Sequence, residues 1–337
     1  MLAGVFEKPG SVALQEKEMP TLKSDLDVKI KVLAASICGT DVHILSEPPG
    51  HPATRGIIQG HEYMGEVVEI GKHVKNVNVG DRVIIDPTTT CGSCYFCEIG
   101  KPNMCEHSSA LGIFLDGGWA PYSVVPSKNV FKISNEIAPE IAVLAEPLSC
   151  VIHGSERVNV QPGDSVVIVG AGPMGQLFTQ VLKAAGAAKI ICVDFSDYRL
   201  DYSKKSGATH IVNPKNEDLV KAVKEITKVG ADVVVDCVGT LLDQCMSLVR
   251  HGGQILLVGM NEHANPQIKQ YDLVRKEITI KGTYIQSYDF PKVVKILESS
   301  LLNLESLITH KISLSKINDG IDTMRKGGAI KIIVYPD

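Results

Sequence analysis

The run Ser165–Val169 (SVVIV), followed at once by Gly170-Ala171-Gly172-Pro173-Met174-Gly175, constrains the fold more than any other stretch of the chain. A short apolar, β-branched run predicts a buried strand, and the glycines predict a tight turn into a helix running to about Ala185. A second strand, Ala188–Val193, delivers Asp194 nineteen residues beyond Gly175. Small residues at Gly170, Gly172 and Gly175 let the backbone approach a pyrophosphate. The helix start at Pro173 and Met174 attracts its charge, and Asp194 accepts from ribose hydroxyls. A glycine motif alone is a weak signal. The strand before it, the helix after it and the acid at the end of the next strand turn it into a dinucleotide site. Asp194 repels a 2′-phosphate, which favours NAD over NADP; Arg199 is the nearby basic residue that works against this preference.

The alternation continues, with helices predicted near 197–206, 216–229 and 241–250 and strands at 209–212, 231–236 and 254–258. Parallel strands with crossover helices imply an α/β, doubly wound sheet. Val258, Gly259 and Met260 fall at a strand's carboxyl end, where the nicotinamide half of the cofactor is expected. Lys276–Thr283 reads as a final edge strand able to pair across a dimer. Residues 290–326 look helix-rich, and Ile330–Tyr335 closes the chain as a strand.

Before residue 150 the texture differs. Val28–Ala34 alternates as a half-buried strand does, 44–60 is a loop rich in proline and glycine, and Gly65–Ile70 and Asp81–Ile85 are strand-like. A chain of 337 residues suits two domains, and the first reads as β-rich and barrel-like. Its first strand leads into Cys38-Gly39-Thr40-Asp41-Val42-His43. Cys38 offers a thiolate to Zn²⁺, Thr40 a hydroxyl for proton transfer and His43 an imidazole able to deliver a proton to solvent. His61 and Glu62 follow after 22 intervening residues and complete a Cys, His and carboxylate set with one open position. Asp41 is placed to orient His61. Glu146, among Leu144, Ala145 and Leu148, is a second candidate carboxylate. Cys91, Cys94, Cys97 and Cys105 can close a tetrahedral structural zinc; an iron–sulfur cluster and a redox CxxC pair are the rival readings. Phe114 and Trp119 are candidates for lining a pocket.

Composition excludes several classes. The formal net charge of −4 gives no basic field for nucleic acid or an anionic membrane. Neither a basic leader followed by an apolar core nor an 18-residue apolar run is present, so a cytoplasmic location is expected. Nine cysteines, four of them crowded into 91–105, fit metal binding better than a disulfide framework.

Cys38-x-Thr40-x-x-His43, Gly60-His61-Glu62, the four-cysteine lobe and the mid-chain glycine motif arrive together in this order. The chain resembles a zinc-dependent medium-chain alcohol dehydrogenase over almost its whole length. The resemblance implies a GroES-like catalytic domain over 1–148, completed by 289–337, and a Rossmann NAD-binding domain over 149–288. It implies two zinc ions, NAD, a small-molecule alcohol substrate and a homo-oligomer, tetramer or dimer. Ala145-Glu146-Pro147-Leu148-Ser149 is similar to the sorbitol and polyol branch, in which the glutamate reaches the catalytic zinc directly or through water. Cys38–Ile44 and Gly60–Tyr63 are similar to threonine dehydrogenases. Ile44 and Ile285 stand where sorbitol dehydrogenases carry a tyrosine and an arginine. The expected activity is oxidation of a secondary alcohol, a polyol or polyol phosphate, to a ketone, with Thr40 taking the hydroxyl proton and His43 relaying it through the cofactor ribose to solvent. The alternatives are L-threonine 3-dehydrogenase, a butanediol or simple secondary-alcohol dehydrogenase and, from another class, a non-catalytic NAD(H)-sensing zinc protein.

Overall fold

The computed structural model describes all 337 residues, which divide into two compact units. The first comprises Met1–Ser149, Ser287–Ser300 and Ile308–Asp337; the second comprises Cys150–Gln286 and Leu301–Leu307.

A seven-stranded sheet organises the first unit. Ile308–Ser313, Lys331–Tyr335, Asp27–Ser36, Tyr63–Ile70, Arg82–Ile85 and Val130–Lys132 lie side by side, and Tyr122–Pro126 also pairs with Asp27–Ser36. Alternation along Asp27–Ser36 puts Val28, Ile30, Val32 and Ala34 into the core, beside Val67, Val83, Ile85 and Val125. The strand at Ile308–Ser313 falls inside a stretch that reads as helix-rich. Only Phe290–Ser299 and Ile317–Arg325 there are α-helical, because Ile308, Ile312 and their neighbours pair in parallel with Lys331–Tyr335. Pairing partners decided this segment, where local pattern was ambiguous.

Register places the end of Asp27–Ser36 between two partners. Ile333 lies opposite Ser36, Ala35 lies opposite Tyr63, and the Ile37 N–H donates to the Ile332 carbonyl at 3.1 Å. Ser36, Glu62 and Lys331 are thereby brought to one spot, just where the chain turns into Cys38.

The second unit is a six-stranded, all-parallel sheet in the order His210–Val212, Lys189–Val193, Ser165–Val169, Ala231–Asp236, Val249–Leu257, Thr279–Gly282. Val166, Val167, Ile168, Ile190, Ile191, Val233, Val234 and Ile255 are fully buried, as strands covered on both faces must be. A short helix at Gln270–Lys276, absent from the sequence reading, precedes the last strand and stops at Glu277, whose φ of +50° is left-handed. That last strand is the sheet's edge. No helix in either unit is long and apolar enough to cross a membrane.

Candidate active site

Cys38 stands at the mouth of the short helix Gly39–Ile44, with extended backbone. Its N–H donates to Asp41 Oδ2 at 2.8 Å, which ties the helix start to the strand end. The other carboxylate oxygen of Asp41 faces His61 Nδ1 at 3.3 Å, an ion-pair contact between two buried groups. His61 arrives through Gly60, whose φ is +91°. A Cβ at Gly60 would lie 2.3 Å from Trp119 Cδ1, so only glycine lets the chain pass the indole. Trp119 itself is wholly buried and donates Nε1–H to the Ser36 carbonyl at 3.3 Å; it is core, while Phe114 reaches solvent.

The Cys38 sulfur, a ring nitrogen of His61 and a carboxylate oxygen of Glu62 lie within 4.8 Å of one another. Burial and the Glu62 charge raise the Cys38 thiol above its ordinary value. Burial opposes charge on His61, but Asp41 and Cys38 outweigh it and hold the imidazole well above its usual range. Such a set yields its protons to a divalent cation that supplies the missing positive charge. Burial also opposes charge on Glu62, and Lys331 reverses the sign and lowers its pKa. Lys331 Nζ sits 2.8 Å from Oε1 and 2.6 Å from Oε2 of Glu62, and Ser36 Oγ donates a short hydrogen bond to Oε2. Glu146 lies outside the close trio but within electrostatic reach of it: burial, then Glu62 and Asp86, push its carboxyl up to about 7 against His61 and Lys331. Thr40 Oγ1 is 3.7 Å from Cys38 Sγ, and His43, one turn on along the same helix, is exposed.

Ser36 and Lys331 were not picked out in the sequence reading. The signal for Lys331 is one lysine inside the apolar run Ala329–Val334, where a buried charge requires a partner.

The four sulfurs of Cys91, Cys94, Cys97 and Cys105 form the second close group, also within 4.8 Å. The short helix Tyr95–Glu98 carries Cys97 inward, while Cys91 stays exposed. The Ser93 backbone N–H brings Cys91 down to about 6, whereas burial lifts Cys97 to about 12. A thiolate set this dense, with no disulfide, suits a tetrahedral cation.

In the second unit the chain turns tightly after Ser165–Val169. Gly170 has φ +94°, and a Cβ on Gly175 would fall 1.9 Å from the Gly170 carbonyl oxygen. The helix Pro173–Ala184 begins at Gly172 and presents its first N–H groups there. Asp194 accepts from the N–H groups of Ala171 and Ser196 at 2.9 Å each, and Arg199 Nη1 approaches it at 3.7 Å. Val258 and Gly259 donate to the Asp236 carbonyl, Gly259 packs on Gly239, and Met260 is 68% exposed.

Residues 24–135 match the alcohol dehydrogenase GroES-like domain, and residues 173–299 match the zinc-binding dehydrogenase domain. An L-threonine 3-dehydrogenase of Caldanaerobacter subterraneus subsp. tengcongensis is 38% identical, over 98% of this chain and 97% of its own. The chain belongs to the zinc-dependent medium-chain alcohol dehydrogenase family. D-arabinitol dehydrogenase 1 of Uromyces fabae is 33% identical, over all of this chain and 97% of its own. An alcohol dehydrogenase of Escherichia coli CFT073, crystallised with NADH, superposes with a TM-score of 0.91 at 32% identity and 99% coverage of both chains.

As a zinc-dependent medium-chain alcohol dehydrogenase, the chain is an NAD-dependent enzyme that oxidises a small-molecule alcohol. Its residues fit both groups: two dense donor clusters for zinc, and a glycine turn, open at Gly172, at a helix start for the dinucleotide phosphates.

Proposed function

We propose that the substrate is a secondary alcohol of the polyol or polyol phosphate class, oxidised to the ketone. The observation that carries this reading is the Cys38, His61 and Glu62 trio with a second carboxylate, Glu146, close by. Similarity to an arabinitol dehydrogenase supports it. Oxidation of L-threonine at its hydroxyl is the second reading, favoured by the Cys38–Ile44 segment and by the 38% identical threonine dehydrogenase.

Cys38, His61 and a carboxylate from Glu62 or Glu146 are assigned to the catalytic zinc, and Cys91, Cys94, Cys97 and Cys105 to a structural one. When bound, the catalytic metal supplies a Lewis acid at the substrate oxygen and oxidised nicotinamide supplies the electron-pair acceptor. Asp41 holds the His61 ring in place through its 3.3 Å contact. Thr40 Oγ1 accepts the substrate hydroxyl proton as it gives up its own, and exposed His43 passes that proton to water. Gly170, Gly172, Pro173, Met174 and Gly175 cradle the pyrophosphate. Asp194 and Arg199 meet the adenosine ribose, and Val258, Gly259 and Met260 receive the nicotinamide half. The edge strand Thr279–Gly282 supports a homo-oligomer, dimer or tetramer, and nine free cysteines support a reducing, cytoplasmic setting.

The test is NAD⁺ reduction across polyols, sugar-alcohol phosphates, L-threonine, butanediol and simple secondary alcohols, with a chelator control. A chelator-sensitive rate confined to polyols or their phosphates is expected; a rate confined to L-threonine refutes the polyol reading. Cys38→Ser should abolish turnover and leave NADH binding intact, whereas wild-type turnover in that variant overturns the site.

A further inference from the structure

Lys331 is 2% exposed and reaches both oxygens of Glu62, at 2.8 and 2.6 Å. Ser36 Oγ adds a third donor, at Oε2. A carboxylate has about four lone-pair directions, so Glu62 retains about one for anything else. Yet one of its oxygens lies within 4.8 Å of both the Cys38 sulfur and a His61 nitrogen. Two positive centres therefore compete for one carboxylate, the ammonium from the strand Lys331–Tyr335 and the cation held by Cys38 and His61.

We propose that Lys331 is a positioning residue that restrains Glu62 from full coordination of the catalytic zinc and so sets how tightly that metal is held and how strongly it polarises substrate. The proposal rests on the catalytic-site assignment above. Its physical basis is charge. A buried ammonium cancels most of the Glu62 field and repels a neighbouring cation, and the burial of Lys331 and Glu62 leaves both effects weakly screened. The register of the sheet makes the arrangement rigid, because Lys331 extends from a strand whose Ile333 is paired directly with Ser36.

The sign separates this role from a merely structural one. If Lys331 only stabilised the strand, removing it would loosen the site and speed metal loss. If it restrains Glu62, Lys331→Met frees the carboxylate for the metal, and zinc is held more tightly. The experiment follows zinc release from the purified holoenzyme into a chromogenic chelator, taking as the catalytic phase the one that disappears in Cys38→Ser. Lys331→Met should slow that phase by about tenfold, within the range that groups orienting a metal's ligands exert. It should lower kcat more than KM and shift the visible bands of the cobalt-substituted enzyme. Lys331→Arg should restore the wild-type release rate. Faster or unchanged release in Lys331→Met overturns the proposal. If that variant does not fold, Ser36→Ala, which removes one of the three side-chain hydrogen bonds to Glu62, should slow release by a smaller factor, and unchanged or faster release there overturns it equally. Zinc content distinguishes the two levels of failure. If Cys38→Ser keeps both metals, the site assignment itself is wrong; if it loses one while Lys331→Met releases zinc as fast as wild type, only the role of Lys331 is.

Discussion

Gly60→Ala offers a sharp test of how the loop carrying His61 and Glu62 is held. The glycine adopts φ +91°, a conformation that costs an L-residue about 1–2 kcal/mol. The added methyl would sit 2.3 Å from Cδ1, 2.6 Å from Nε1 and 2.7 Å from Cγ of Trp119, a rigid ring packed on all sides. Overpacking of this kind costs about a further 1–3 kcal/mol, giving about 2–5 kcal/mol in all. The strain falls directly on His61 and Glu62, so zinc affinity should fall along with stability. Trp119 is the chain's only tryptophan, and its emission during urea unfolding reports the first unit alone. Zinc content after gel filtration provides the second readout. In a Trp119→Ala background, followed by circular dichroism, only the backbone part, about 1–2 kcal/mol, should remain. A loss below about 1 kcal/mol with full zinc retention would refute the close-approach argument.

Three further outcomes follow from the same geometry. Gly175→Ala, whose methyl would meet the Gly170 carbonyl at 1.9 Å, should weaken NADH binding by about tenfold or more, read by fluorescence titration, while zinc content stays unchanged. Cys91→Ser should release one of the two metals and lower the melting temperature of the first unit, measured by zinc analysis and Trp119 emission; retention of both metals argues against the four-cysteine site. Burial opposes charge on Asp232, but the Ser165 N–H at 2.8 Å and Arg250 Nε at 2.6 Å win and depress its pKa. A depressed carboxylate stabilises above its unfolded pKa and loses that contribution as pH falls through the folded one. The stability gap between wild type and Asp232→Asn, from urea midpoints by circular dichroism, should thus be full at neutral pH and shrink as pH drops below the ordinary value of 3.8.

Much of the site is legible in the residues because its chemistry is local. Thr40 and His43 share one short helix that Cys38 caps, the four cysteines share one lobe, and the glycine turn follows its strand directly. Cys38 and His61 are far apart in sequence, but each is a residue type that a zinc site demands, so composition and motif find them. Lys331 lies 269 residues from Glu62, and an isolated lysine gives no sign of which acid it meets. The strand at Ile308–Ser313 escaped for a similar reason: its residues fit a helix face or a strand equally well, and parallel pairing with Lys331–Tyr335 decides between them.

The sequence by itself therefore determined the fold class and picked out the candidate zinc ligands and the glycine turn. The four-cysteine lobe and the glycine turn are written in residue spacing that local geometry reads without help, and Cys38 and His61 in residue type. Only the tertiary structure decided which charges meet inside the protein. It set Lys331 and Ser36 on Glu62, and Glu146 just outside the closest trio. Sheet register brings Lys331 to Glu62 from 269 residues away, and low-dielectric surroundings make the distances between buried groups, rather than their identities, govern their charge states.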